Sequence, residues 1–258
     1  MRVALVHDWL VSYGGAEKVL EVLHELYPEA PVYTSVYDSS KFSGSLLGNL
    51  NVKTSFIQHL PFAKKGYRNY LPLMPMAFEK FDLSSYDIVI SSSHACAKGV
   101  ITPSSACHIC YCHTPMRYIW DMYNEYLNSE EIGLIKRLFI PIVAKYLRLW
   151  DVNSSKRVNY FIANSNFVAK RIEKYYHRES TVINPPVETE KFTISEKTEN
   201  YYLVVSRLVP QKKTDIIIKA FNELGFRLKI IGEGRHMKVL KKIAKNNIEF
   251  LENLTRDA

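Results

Sequence analysis

Tyr202-Leu203-Val204-Val205-Ser206-Arg207-Leu208-Val209-Pro210-Gln211-Lys212-Lys213-Thr214-Asp215 reads as strand, loop and helix. Residues 201–205 are apolar and β-prone, the pattern of a buried parallel strand. Pro210 breaks it. Asp215 opens a helix whose apolar stripe is Ile216, Ile217, Ala220, Phe221 and Leu224. Arg207 falls at the carboxyl end of the strand and Lys212 just before the helix, where open α/β sheets hold their ligands. Two cations beside a helix N-terminus suit a pyrophosphate. The same spacing also fits a solvated basic loop.

The run Ser206-Arg207-Leu208-Val209-Pro210-x-Lys212, followed by Ile230-Ile231-Gly232-Glu233-Gly234, resembles the donor-binding half of glycosyltransferase family 4. That family has the GT-B fold, two Rossmann-like α/β domains with parallel sheets facing a cleft. The resemblance implies that Arg207 and Lys212 hold the diphosphate of a nucleotide sugar. It further implies that Gly232, Glu233 and Gly234 lie near the nucleoside.

Upstream, Arg2–Asp8 is a short buried strand. A loop over Trp9–Tyr13 leads to Gly14-Gly15 and a helix with Val19, Leu20, Leu23 and Leu26 on one face. Glycines between strand and helix let a ligand approach the backbone, and a plain tight turn would also use them. Gly14-Gly15-Ala16-Glu17-Lys18 resembles the family's N-terminal glycine loop, which implies that Gly14 and Gly15 face donor phosphate. His7-Asp8-Trp9 resembles mannosyl-type members and implies acceptor-side roles for these three residues. Strands are expected at Val32–Tyr37, Val52–Ile57 and Tyr86–Ser91, with a loop and helix over residues 59–81.

Cys107–Pro115 reads as a strand ending at proline. Its cysteines and histidines suggest metal, but strand alternation puts Cys110 and Cys112 on one face and Cys107 elsewhere. No distant ligand pair completes a zinc site, so buried small hydrophobes are the reading and no metal is expected. His113-Thr114-Pro115-Met116-Arg117-Tyr118 resembles the family's cleft segment. The resemblance implies His113 at the reacting centre and Arg117 and Tyr118 on the acceptor side.

Ile132–Trp150 has helical periodicity, with Leu134, Ile135, Leu138, Ile142, Tyr146 and Leu149 as apolar stripe and Lys136, Arg137, Lys145 and Arg148 elsewhere. It reads either as a packed helix with a solvated face or as a basic amphipathic helix on anionic lipid. A strand over Tyr160–Ser165 and a helix over Val168–Tyr176 follow, capped by Ser165 or Asn166. Thr181–Val187, with Pro185 and Pro186, resembles the family's inter-domain crossover. The expected domains are an acceptor domain over 1–184, a hinge over 185–200, and the first half of a nucleotide-sugar domain over 201–258. In the last, strands are expected at 201–205, 227–232 and 247–251. The sequence stops at Ala258, before any Glu-x7-Glu of the family type. The expectation is therefore an incomplete second domain with exposed strand edges, inactive by itself.

At 258 residues and 47% apolar content the chain can bury a real core. It has 4 cysteines and no signal peptide, which points to a reducing cytoplasm. No uninterrupted apolar run of about 18 residues is present to span a membrane. The net charge of +8 favours anionic partners, and the absence of RNA-binding or zinc-finger signatures argues against nucleic acid.

The resemblance implies a retaining glycosyltransferase without cofactor, moving a sugar from a nucleoside diphosphate sugar to a glycan or lipid-linked acceptor. GDP-mannose is the donor it favours, and lipid-linked acceptors allow peripheral contact with an anionic membrane. A non-catalytic nucleotide-sugar-binding relative and a GT-B epimerase are the alternatives.

Overall fold

The structure, a computed structural model, describes residues 1–127, 134–192, 194, 196 and 198–251. The chain forms two compact units, Met1–Val187 and Glu188–Ala258.

The first unit is built on a parallel sheet of 7 strands in the order β3-β2-β1-β4-β5-β6-β7. Strand β1 (Val3–His7) pairs on one side with β2 (Val32–Thr34), which pairs with β3 (Val52–Thr54). On its other side lies β4 (Ile88–Ser93), followed by β5 (Cys107–Cys112), β6 (Tyr160–Ala163) and the short β7 (Thr181–Val182). Having neighbours on both sides, β1 is buried along its whole length, as its apolar run predicts. The chain winds outward from β1 through β3, then returns to start β4 at β1's free side. That reversal is a topological switch point, and the crevice at the carboxyl ends of β1 and β4 is where such sheets bind ligands.

Helices cover both faces. Helix α1 (Gly15–Leu26) turns Val19 and Leu20 inward. Short α2 (Ala63–Gly66) and α3 (Met74–Glu79) bury Ala63, Met74, Ala77 and Phe78, so residues 59–81 are core as much as rim. Helix α4 (Tyr123–Leu127) precedes the long α5 (Leu134–Ser155), and α6 (Asn166–Tyr176) follows β6. Ser165 is the N-cap of α6, its hydroxyl accepting from Val168 N at 3.3 Å.

Lys98 is fully buried and ties the β4–β5 connection to the helical layer. Its ammonium donates to Asp151 Oδ1 at 2.6 Å and to Ser154 Oγ at 3.0 Å, both on α5. Trp120 Nε1 and Tyr176 Oη donate to the same Asp151 carboxylate. Gly99 lies against Trp150, where a Cβ would come within 2.2 Å of the indole ring.

The second unit is a parallel sheet of 3 strands, β10-β9-β8, built from β8 (Tyr202–Val205), β9 (Leu228–Ile231) and β10 (Ile248–Leu251). Helices α7 (Thr214–Leu224) and α8 (Met237–Ile243) connect them. Leu208, Ile218, Leu228, Ile230, Leu240 and Ile248 form its core.

Three expectations need correction. Strand β8 is an edge, pairing among the described residues with β9 alone, so Leu203 and Val205 are exposed rather than buried. Thr181–Val182, read as crossover, adds a seventh strand. Helix α5 turns its apolar stripe outward: Leu138 is 73% and Ile142 67% exposed, while Ala144 and Leu147 pack inward beside Asp151. The expected start of that helix at Ile132, the side chains of Leu134, Ile135 and Lys136, and the chain end Leu254–Ala258 lie outside the described residues.

Removing one partner of the buried pair leaves an uncompensated charge. Lys98→Met should destabilise the first unit by about 3–5 kcal/mol. All 3 tryptophans, Trp9, Trp120 and Trp150, lie in this unit, so urea unfolding followed by tryptophan fluorescence reads it selectively. An unshifted midpoint would contradict the assignment.

Candidate active site

At the switch point, the carboxyl end of β1 delivers His7, Asp8 and Trp9. His7 is fully buried, with Nδ1 at 3.1 Å from Ser92 Oγ on β4 and Nε2 at 3.6 Å from Glu17 Oε1 on α1. Ser92 Oγ also hydrogen-bonds His113 Nε2 at 2.8 Å. His113 follows β5, where its backbone N–H donates to Ser93 O and its carbonyl accepts from Asn164 Nδ2.

Asp8 points inward. Its carboxylate accepts three backbone N–H groups, from His94 at 2.6 Å, Ala95 at 2.9 Å and Ala97 at 2.7 Å. This placement makes Asp8 the clasp of the 94–97 turn and corrects the acceptor-side expectation: the side chain is fully buried and facing its own backbone. Trp9 packs edge-on against His94, with ring centroids 4.6 Å apart, and tilts against Tyr67. Both leave Trp9 nearly buried.

The glycine pair divides its work. A Cβ on Gly14 would stand 3.2 Å from Glu17 Oε2, so Gly14 leaves room for the carboxylate, while a Cβ on Gly15 would meet open space. Arg117 is exposed on the turn after His113, and Tyr118 is half-buried with a hydroxyl that has no hydrogen-bond partner among the described residues.

Ionisation in this cluster is strongly biased. Burial, reinforced by His7 and His94, pushes the His113 imidazole down to about 3. Burial also lowers His94, outweighing the opposing pull of Asp8. His108, paired with Ser91 Oγ at 2.9 Å behind the site, is pushed by burial, Arg157 and Lys98 to about 3. For Glu17, burial works upward but the neighbouring His7 imidazole outweighs it, holding its carboxyl below the ordinary value.

In the second unit, Arg207 and Lys212 are both exposed on the loop between β8 and α7. That loop is braced by the one after β9: Ser206 N donates to Ile231 O, Leu208 N to Glu233 O at 2.8 Å, and His236 N to Leu208 O. Gly232 has φ +144°, and a Cβ there would stand 1.9 Å from Ser206 O. At Gly234 a Cβ would stand 2.1 Å from Leu208 O. These glycines permit the loop-to-loop contact, with Glu233 exposed between them. Lys213, at φ 53°, is the residue that turns the chain into α7.

His7, Asp8, Trp9, Gly14 and His113 thus converge on one crevice of the first unit, while Arg207, Lys212, Gly232, Glu233 and Gly234 share one loop pair of the second. Sequence reading passed over Glu17, Ser92 and His94. Their signals were faint: a carboxylate three residues after Gly14, and a serine run closing a strand. Among the described residues, no group of three or more His, Cys, Asp or Glu side chains is arranged to hold a metal ion, and all four cysteines are free.

Two units of parallel sheet flanked by helices are the GT-B glycosyltransferase architecture. The chain aligns with Anabaena HepE in complex with UDP at a TM-score of 0.62 and 17% identity, covering 100% of this chain and 70% of that one. A second HepE structure, with UDP and glucose, aligns at 0.60 and 17% identity over 99% and 70% of the two chains. Residues 13–191 match the model of Glycosyltransferase Family 4, and the chain belongs to that family. An uncharacterised glycosyltransferase of Methanocaldococcus jannaschii is 28% identical over 116 residues, 45% of this chain. The match spans 32% of that curated relative's length.

The histidine shifts fix a pH response. Unfolded imidazoles titrate near the ordinary 6.5, whereas His108 and His113 in the fold titrate at about 3. Between those values the unfolded chain binds more protons, so stability falls as pH drops through the window. Glu17, lowered from its ordinary 4.5, adds a further loss as pH falls through its folded value. The urea midpoint by tryptophan fluorescence should decline steadily from pH 7 to pH 4. His113→Gln and His108→Gln should each flatten that slope; equal slopes in parent and variants would refute the buried neutral imidazoles.

Proposed function

We propose that this chain carries the acceptor side and part of the donor side of a retaining glycosyltransferase. It transfers a sugar from a nucleoside diphosphate sugar to a hydroxyl of a glycan or lipid-linked saccharide. The observation that carries this reading is the exposed Arg207–Lys212 pair, on a loop hydrogen-bonded to the one after β9 at the head of a parallel sheet in a member of Glycosyltransferase Family 4.

Negative charge develops on the departing diphosphate, and fixed cations aimed at it lower the barrier. Arg207 can fork onto phosphate oxygens and Lys212 adds a point charge. In this proposal no metal or cofactor is required. His113 contacts the transferred sugar, Gly15 gives a phosphate access to the backbone, and Arg117 and Tyr118 face the acceptor. Mannose from GDP-mannose is the proposed donor, supported by His7-Asp8-Trp9 and His113–Tyr118; UDP, the ligand of HepE, is the comparison nucleotide. The protein acts in the cytoplasm. Among the described residues no helix is long and apolar enough to cross a membrane. The outward stripe Leu138, Ile142, Tyr146 and Leu149 beside exposed Lys145 supports peripheral contact with an anionic bilayer.

Arg207→Ala should weaken GDP binding by ~1.5–3 kcal/mol, roughly 10- to 150-fold, by isothermal titration calorimetry. UDP serves as the parallel titration, and unchanged affinity for both would remove Arg207 from the site. In the whole protein, transfer from GDP-mannose should persist in chelator. Activity lost there and restored by manganese would overturn the metal-free reading.

A further inference from the structure

Four side chains from separate elements form one line at the switch point: Glu17 on α1, His7 on β1, Ser92 on β4 and His113 after β5. The steps are 3.6 Å from Glu17 Oε1 to His7 Nε2, 3.1 Å from His7 Nδ1 to Ser92 Oγ, and 2.8 Å from Ser92 Oγ to His113 Nε2. His7 and Ser92 are fully buried and Glu17 nearly so.

A serine hydroxyl has one proton, so Ser92 donates to one imidazole and accepts from the other. Neutral rings leave two arrangements. In the first, His7 carries its proton on Nε2, toward Glu17; its Nδ1 accepts from Ser92, and Ser92 accepts from a proton on His113 Nε2. In the second, all senses reverse, and a bare His7 Nε2 lone pair faces the Glu17 carboxylate. At 3.6 Å inside the protein that juxtaposition is repulsive. A doubly protonated His7 would draw the carboxylate into a charge-assisted bond of ~2.7–2.9 Å, and the gap is 3.6 Å.

The geometry points to a tautomer relay in which Glu17, His7 and Ser92 fix His113 with its proton on Nε2 and the Nδ1 lone pair left for a ligand hydroxyl. His113 is half-buried, and with Nε2 engaged by Ser92, Nδ1 is its remaining nitrogen. The three upstream groups are positioning residues. None touches the ligand; together they decide that His113 accepts a hydrogen bond and does not give one. On the transferase reading, on which the ligand assignment rests, the partner is a hydroxyl of the transferred sugar. A site built this way favours sugars presenting an O–H there and rejects analogues that present only an acceptor, such as a methyl ether.

The test is spectroscopic. Long-range proton–nitrogen correlation spectra of the chain with nitrogen-15 histidine report each ring's tautomer, and His113→Gln assigns the His113 signals. The parent should show a single Nε2–H tautomer at His113. Ser92→Ala removes the group that accepts from Nε2, and Glu17→Gln removes the charge that sets the sense; each should convert His113 to a tautomer mixture. The two changes fall in different elements, and tryptophan fluorescence confirms which variants are folded. A parent His113 that is protonated on Nδ1 or on both nitrogens would overturn the relay. So would a single Nε2–H tautomer persisting in the folded variants. Every readout precedes turnover, so a chain that transfers no sugar still answers the question. An intact relay with no product from the whole protein would count against the transferase reading alone.

Discussion

The Asp8 carboxylate is the contact on which the first unit's site depends. It gathers three backbone N–H groups of the turn after β4, reaching 86 to 89 residues along the chain. Without it those donors would be buried and unpaired, each at about 1–3 kcal/mol. The turn it closes carries His94 at one end and Lys98 at the other. Lys98 is held in turn by Asp151 on α5, and the next residue, Gly99, lets Trp150 lie against the backbone. Arg157 completes the hold, donating to Gly99 O and to Glu79 at 2.7 Å each. A carboxylate on the sheet and a carboxylate on a helix therefore clamp one loop from opposite sides. Ser92, just before that loop, is placed by the pairing of β4 with β1 and β5.

Both glycine motifs serve the protein's own packing first. Gly14 makes space for Glu17, and Gly232 and Gly234 allow one loop to run against the backbone of Ser206 and Leu208. A side chain at either of the latter would collide with a carbonyl at about 2 Å, so the substitution cannot be absorbed by a rotamer change. The effect on a ligand is indirect: Arg207 is presented from a loop whose backbone is tied at Ser206 and Leu208.

Local pattern revealed the strands well and their surroundings poorly. Strands of the second unit fall within a residue of the apolar runs that announce them: Gly225 and Gly232 bracket β9, and Asn246-Asn247 precedes β10. Burial of β8 was not legible, since apolarity cannot say whether a strand has one neighbour or two. Helix α5 shows the same limit. Its apolar stripe was plain, but the inward face is Ala144, Leu147, Trp150 and Asp151, and the buried charge at Asp151 makes sense only opposite Lys98, 53 residues away. His7, Asp8 and His113 were visible as motif residues. The roles of Ser92 and of Glu17, the latter quoted only within its glycine motif, were not, because the contacts that give them meaning exist only once β1, β4 and α1 are assembled.

The two units handle charge in opposite ways. In the first, His94, His108 and His113 are all driven toward neutrality by burial, and the Asp8 carboxylate is wrapped in backbone donors. In the proposed relay a neutral imidazole with a fixed lone pair discriminates among hydroxyls. In the second, Arg207 and Lys212 stand in solvent at a loop-to-helix turn, suited to phosphate and indifferent to ring stereochemistry. On the proposed reaction this is a division between recognising the sugar and stabilising the leaving group. Burial thus holds His94 and His113, whose rings lie 6.3 Å apart, toward neutrality at this site.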